Sequence, residues 1–403
     1  MKLNPVLTAA FAGACGLASN AAHADALSWD PSFTFSGFGT IGYVQTNTDK
    51  ADFVSPGQAS GASKDGSFNP DSKLGGQVNA KANNVFSATV QAVTRYNGQG
   101  NWKPSVEWAF VKAQATPELA VRAGRIGLPF YMVSDYLNVD YSNLWLRPPQ
   151  DVYGQVNFSH FDGADAIYQT SLGSTTVTGQ VFYGETNTKT TVRIHSHQQV
   201  GLNLTAEFDN GITLRLGRAQ AKITVDSTAL DGLVGILSQT PFASVGQELA
   251  VTNKSASFTG AGISYDHDNF VGSAEFTKRK TASYVSSTTG WSVTGGYRLG
   301  KFTPYAVVSK LKVDSSNVND TIPAGVPQLA ALRAGVEGLL ASQNIAQKTN
   351  SLGLRWDAYK NIAVKAQFDR VKTNGGPGLF VKLQPGFDSS SINVYSVAVD
   401  FVF

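Results

Sequence analysis

The last twelve residues, Ile392 to Phe403, read INVYSVAVDFVF. Counted back from the C-terminus, Phe403, Phe401, Val399, Val397 and Tyr395 fall in one row, and Val402, Asp400, Ala398, Ser396 and Val394 fall in the other. A period of two over this length is a β-strand with one apolar face and one face that carries a charge. In a soluble sheet the aromatic row would need a cover, whereas in a membrane it can face lipid. The phase of this strand predicts a sheet with a lipid side and a water side.

The same alternation recurs upstream. Strands are expected over 33–44, 73–83, 86–96, 106–116, 119–125, 164–172, 176–184, 200–209, 212–218, 259–266, 270–279, 291–299, 302–313, 351–357 and 362–371, about sixteen with the terminal one. Connections such as Asn83-Asn84, Gly173-Ser174, Asn210-Gly211 and Tyr359-Lys360 are tight, while 45–72, 126–163, 185–199, 219–257, 314–350 and 372–391 are long. An even strand count with short and long connections in alternation predicts an all-β fold, a closed transmembrane antiparallel barrel with its long loops at one end.

Composition and the N-terminus agree with that placement. Charged residues make up 15% of the 403-residue chain, with 40 Gly, 23 Phe, 14 Tyr and 6 Trp, which suits many short strands rather than helices. Lys2, the apolar run from Val6 to Leu17 and Ala22-His23-Ala24 read as a signal peptide over 1–24, cleaved after Ala24. The remaining 25–403 reads as a single barrel domain. Cys15, the one cysteine, falls in the leader, so the mature chain is expected to use neither disulfides nor thiol chemistry. The net charge of +3 is too small to argue for nucleic acid.

The stretch from Val121 to Gly154 is VRAGRIGLPFYMVSDYLNVDYSNLWLRPPQDVYG, inside a connection (about 126–163) too long to be a structureless loop without a function. Here the chain resembles the general porins of Gram-negative bacteria. Gly124-Arg125 resembles the end of that family's fifth strand, and Tyr131, Asp135 and Asp140 follow in the order of its long third loop. The segment WAFVKAQATPELAVRAGR is similar to the fourth and fifth strands, and Ser72-Lys73-Leu74-Gly75 to the opening of the second. The terminal Phe403 resembles the closing residue of outer-membrane barrels. The resemblance implies a sixteen-stranded porin of the outer membrane, a third loop folded into the pore, passive diffusion of ions and small hydrophilic solutes, and a homotrimer. It implies no enzymatic activity and no cofactor or metal. Outer-membrane lipid and lipopolysaccharide would surround the barrel.

In such a pore, acidic side chains on the loop face basic ones on the wall and set up a transverse field at the narrowest point. The acidic candidates are Asp135, Asp140 and Asp151, and the wall candidates are Arg125, Lys73 and Arg95, with Tyr131 on the loop. Alternation from Val121 puts Arg122 inward and Arg125 outward, while the family match favours Arg125, so both are carried forward. The inward rows are expected to hold Lys73, Lys81, Arg95, Arg122, Arg215, Arg279, Arg298, Lys310, Lys312, Arg355 and Lys365, against Glu207, Glu275, Asp357, Asp369 and Asp400. That excess of cations predicts a weak anion preference.

Other readings are weighed beside this one. Arg147-Pro148-Pro149 could build a binding site in a channel selective for phosphate or small organic acids, and the long loops could serve an adhesin or surface receptor. Leu329, Leu332, Val336 and Leu339, and Leu230, Leu233, Val234 and Leu237, recur at helical spacing in two of those loops, where packing against loop neighbours is the simplest expectation. Gly37-Phe38-Gly39-Thr40-Ile41-Gly42 matches a dinucleotide fingerprint but lies within an expected strand. His195 and His197 lack a carboxylate or thiol to complete a metal set, and no nucleophile elbow marks a hydrolase.

Overall fold

The computed structural model describes residues 31–315, 318–388 and 391–403. The leader expected over 1–24 lies outside the described residues. Sixteen antiparallel strands close into a barrel in which each strand pairs with its neighbours in sequence. They are β1 (Ser32–Thr46), β2 (Lys73–Lys81), β3 (Phe86–Arg95), β4 (Ser105–Gln114), β5 (Leu119–Gly127), β6 (His160–Leu172), β7 (Thr175–Lys189) and β8 (Arg193–Phe208). The second half comprises β9 (Ile212–Asp226), β10 (Lys254–His267), β11 (Phe270–Thr281), β12 (Ser287–Tyr297), β13 (Phe302–Ser315), β14 (Gln347–Tyr359), β15 (Ile362–Thr373) and β16 (Ser391–Val402).

The terminal strand has the expected phase. Tyr395 and Val397 are 50% and 53% exposed on the outside, whereas Ala398 and Asp400 are 3% and 0% exposed inside. β16 closes the barrel against β1, with Phe401 opposite Gly39 and the Phe403 and Gly37 main chains bonded in both directions at 2.8 and 2.9 Å. The two phenyl rings lie across those glycines. A Cβ on Gly39 would sit 2.4 Å from the Phe401 ring and one on Gly37 2.2 Å from that of Phe403, so the glycines serve the seam. The glycine-rich motif is thus part of a strand paired on both sides, not the turn before a helix.

The largest departures from the expected boundaries are in β7, β8 and β9. The connection expected over 185–199 is almost wholly strand, and only Thr190–Val192 turns, with Thr190 N–H donating to Val192 O at 2.9 Å. Pairing continues through Lys189–Arg193 and Arg193–Asp226. Above the apolar belt the outward residues become Glu185, Asn187, Lys189, Arg193 and His195, so the hydropathy alternation disappears while the hydrogen-bond ladder continues.

A second correction concerns β13. Lys310 and Lys312 share the outward row with Val308 and Phe302, and the inward row is Tyr305, Val307, Ser309 and Leu311. The inward side here is apolar because a loop packs on it, which inverts the usual reading of which face meets water.

Helices α2 (Thr228–Ser238), α3 (Ala243–Leu249) and α4 (Ala330–Ser342) arise in the β9–β10 and β13–β14 connections. Leu230, Leu237, Val245, Leu249 and Val336 pack with Val251, Tyr284 and Ile322 in one cluster, so the helically spaced apolar residues meet one another across loops. Helix α1 (Gln150–Tyr153) belongs to the loop inside the barrel.

Candidate functional site: the loop inside the barrel

β5 ends at Gly127 and β6 opens at His160, and Leu128 N–H to Ser159 O at 2.8 Å ties together the two ends of the loop between them. Residues 128–159 turn into the lumen and are fastened to the wall along their length. Tyr131, Val133, Trp145, Val152 and Tyr153 pack with Phe258 of β10 and Tyr305 and Val307 of β13, and Phe130 stacks on Phe258 at 4.8 Å. Apolar burial therefore presses the loop against one side of the barrel.

Polar clamps complete the attachment. The Lys365 ammonium, fully buried on β15, donates to the carbonyls of Asp140, Asn143 and Trp145 at 2.7, 2.7 and 2.8 Å and lies 2.9 Å from Asp400 of β16. Arg147 reaches two carboxylates. Its guanidinium forks onto Asp71 at 2.9 and 2.6 Å, bonds Asp369 at 2.7 Å and Ser396 at 2.5 Å, and lies over the Phe53 ring. A planar fork matched to a carboxylate is the geometry for which arginine is suited. The Tyr153 hydroxyl donates to Glu275 at 2.6 Å, and Gln155 donates to Thr277.

The expected constriction residues separate into three groups. Asp140, Asp151 and Tyr131 are buried attachments of the loop. Asp140 lies 2.8 Å from the Lys73 ammonium and accepts from Thr40 at 3.0 Å. Asp151 accepts from the Ser309 hydroxyl, and burial pushes its carboxyl up to about 6 against the hydrogen bonds that hold it down. Tyr131 is inside the aromatic cluster.

Asp135, Arg95 and Arg122 face the space left open. Asp135 is 79% exposed at its side chain, 3.8 Å from Arg215, and Arg95 is 36% exposed, bonding Glu107 and Asn138 of the loop at 2.9 Å each. Arg122 forks onto Asp165 of β6.

Arg125 is the exception. It occupies the outward row opposite Ala109 and pairs with Asp162 at 2.7 Å on the outer surface. Strand parity places it there, and no bulge re-aims it between β5 and β6, whose register runs without a break from Leu119 to Gly127.

Apart from the contacts of Asp140 with Lys73 on β2, of Asn138 with Gln91 and Arg95 on β3, and of Phe130 with Phe182 on β7, the loop leaves β2 to β8 comparatively free. There, Lys81, Ser87, Lys112, Arg122 and Asp165 are laterally paired across five strands and form one inward row, with three cations to one carboxylate. Lys112 was missed from the sequence because Trp108 and Phe110, also inward, disguise the phase of β4, and a register shift at Gln91/Ala92 adds to it. Asp71 was missed because its partner Arg147 lies 76 residues along the chain, and Glu107 because the register shift between β3 and β4 falls beside it and hides the strand phase. Arg147, considered as a ligand-binding group, has its donors committed to Asp71, Asp369 and Ser396. Among the described residues no group of three or more His, Cys, Asp or Glu side chains is placed to hold a metal ion.

Comparisons with known proteins agree with this architecture. A family model described as Gram-negative porin matches residues 8–401. Similar solved structures include Salmonella typhi OmpF in complex with daunomycin, at a TM-score of 0.56 and 12% identity, covering 92% of this chain and 97% of that one. An anion-selective porin from Comamonas acidovorans aligns at a TM-score of 0.53 and 13% identity, over 93% of this chain and all (100%) of that one. The trimer form of OmpT from Vibrio cholerae gives 0.53 and 13%, over 93% and 99%. Likeness at these identities shows the shared fold. A search of the curated proteins finds no sequence match.

Proposed function

The chain belongs to the Gram-negative porin family and forms an outer-membrane channel; on that premise we propose passive diffusion of ions and small hydrophilic solutes with a weak anion preference. The observation that carries the preference is the inward row on the free side of the lumen, where Lys81, Lys112 and Arg122 face one carboxylate, Asp165. Charges with low-dielectric walls around them raise the local concentration of counter-ions, here anions. Most of the apolar and ionic attachments hold the loop against β10 to β16, with lighter contacts to Lys73 and Arg95, so the solute path runs along β2 to β8, past Asp135, Arg95 and Arg122.

The described relative from Comamonas acidovorans is named as anion-selective, which agrees with this reading. The OmpT relative exists in a trimer form, and we infer a homotrimer here as well. The chain is also expected to mature by removal of residues 1–24, which the intact mass of the membrane-extracted protein would check. The function requires no chemical step, and labelling by a covalent serine probe would speak against it.

The deciding experiment is the reversal potential of the refolded protein in a planar bilayer under a KCl gradient. A potential favouring chloride is expected. Clear potassium selectivity would overturn the anion preference, and absence of conductance from a folded barrel would overturn the open channel.

A further inference from the structure

Residues His195-Ser196-His197 lie in β8, where alternation puts both imidazoles on one face, about 7 Å apart along the strand. That face is the outer one, above the apolar belt, and two irregularities of the sheet fall at its level. On β7 the pairing steps from Gly184–Gln199 to Thr186–Ser196 and leaves Glu185 as an extra residue. On β8 it steps from His197–Lys222 to Val200–Gln220, and Gln198 between them has a φ of 51°. A left-handed glutamine is a strained choice, and bulges re-aim the side chains beside them. Here they correct the expectation that the histidine pair lacks a carboxylate, because Glu185 Oε2 lies 3.5 Å from His195 Nε2.

The His195 and His197 rings are 5.1 Å apart between centroids and inclined at 41°. His197 Nε2 lies 3.1 Å from Asn253 Oδ1, an acceptor, which holds the ring hydrogen on Nε2 and leaves the lone pair on Nδ1. That Nδ1 is buried and has no hydrogen-bond partner among the described residues. Asn253 is fixed in turn, at a φ of 56°, by its N–H donating to Thr224 Oγ1 at 3.1 Å. An imidazole oriented through one nitrogen by an oxygen acceptor, with its other nitrogen free, is arranged as metal-ligating histidines are. The 3.5 Å between Glu185 and His195 is long for a hydrogen bond. In a tetrahedron with bonds of about 2.1 Å, however, two ligand atoms stand roughly 3.4 Å apart. Among the described residues no trio is already at coordination distance. Closure here needs only rotation of His195 and Glu185, whose side chains are 39% and 52% exposed. The nearest cation, Lys222 opposite His197, is engaged by the Ser255 hydroxyl at 2.8 Å.

We propose that His195, His197 and Glu185 bind one divalent transition-metal ion of the zinc class on the outer face of the barrel, with Asn253 as the positioning residue. Two imidazoles and a carboxylate suit zinc, nickel or copper, whereas magnesium and calcium take oxygen ligands. The bound ion would join the bulge of β7 to that of β8, outside the pore.

The experiment is isothermal titration calorimetry of the full-length protein, purified in detergent without a histidine tag, with ZnCl2 and separately with MgCl2. One saturable zinc site per chain is expected, and none for magnesium. H195A and H197A should each abolish it. N253G keeps the left-handed backbone but removes the acceptor, and should weaken binding roughly 10-fold. E185Q should weaken it by more. H267A removes the other exposed histidine, 3.7 Å from Asp268 in a tight turn, and should change nothing. Every variant should keep the wild-type reversal potential, since all these positions lie outside the lumen, and that readout shows that the barrel has folded. Absence of zinc binding to the conducting wild-type protein, binding retained in H195A or H197A, binding insensitive to E185Q, loss in H267A, or equal uptake of magnesium would overturn the site.

Discussion

The two sides of the lumen are built differently. Along β11 to β16 the inward side chains are nearly all buried under the loop; Thr277, Ser309, Lys365 and Asp400 each have 1% exposure or less. Along β2 to β8 the inward row Lys81, Lys112 and Arg122 is left at least partly exposed. Charge has a different meaning on each side. On the covered side Lys365, Arg147 and Asp140 are consumed in holding the loop, and removing one would leave its partners buried and unpaired. On the free side Lys81 and Lys112 meet water and act through potential, while Arg122 is held by Asp165 and only partly exposed.

Substitutions on the covered side should therefore act on stability first. The largest effect is expected for Arg147→Ala, which strands Asp71 and Asp369 in the interior and should cost about 3–5 kcal/mol. Thermal unfolding should shift down markedly and single-channel conductance should become larger or noisier as the loop loosens. An unchanged trace would show that the aromatic cluster alone holds the loop.

Asp151 gives a smaller, pH-dependent version of the same contrast. Its carboxyl is pushed up to about 6 by burial, so the folded state favours the protonated form. Its contribution is most favourable below the ordinary carboxylate range, falls as pH rises through about 6, and is level above that, a loss of about 3 kcal/mol at most. Asp151→Asn should flatten the dependence of the unfolding midpoint between pH 4 and pH 7. An identical slope in both proteins would remove Asp151 as its source.

On the free side the order reverses. The double change Lys81→Gln and Lys112→Gln should move the reversal potential toward zero in a KCl gradient while altering stability by less than about 0.5 kcal/mol. A large loss of stability with no change in selectivity would erase the distinction between the two walls. Arg125→Gln, on the outer surface, should do least. Its exposed pair with Asp162 contributes roughly 0–1 kcal/mol, and the reversal potential should not move. A selectivity change there would return Arg125 to the pore.

Much of the architecture was legible in the chain, and the site was legible in part. The apolar row of β16, the tight turns and the unusual length of the 126–163 connection pointed to a barrel with a loop of its own inside. The positions of Asp135, Arg95 and Arg122 in the open lumen follow from the loop's place in the chain and from strand parity. Lys112 was overlooked because Trp108 and Phe110 share its inward row, and Lys310 and Lys312 were misplaced for a different reason. Period-two patterning tells which face is apolar, and where a loop covers the wall from inside, both faces of a strand are apolar or nearly so.

The sequence by itself determined the strand phase and the lipid-facing surface. These depend on neighbours in the chain and on the solvent that each face meets, and both are local properties. Only the tertiary structure decided which charges are fasteners and which are left for ions. Arg147 and Asp369 are 222 residues apart, and Lys365 meets three carbonyls of a loop more than two hundred residues earlier. No local pattern encodes such a pairing, because a charged side chain looks the same in sequence whether it ends in water or in the grip of a distant carboxylate.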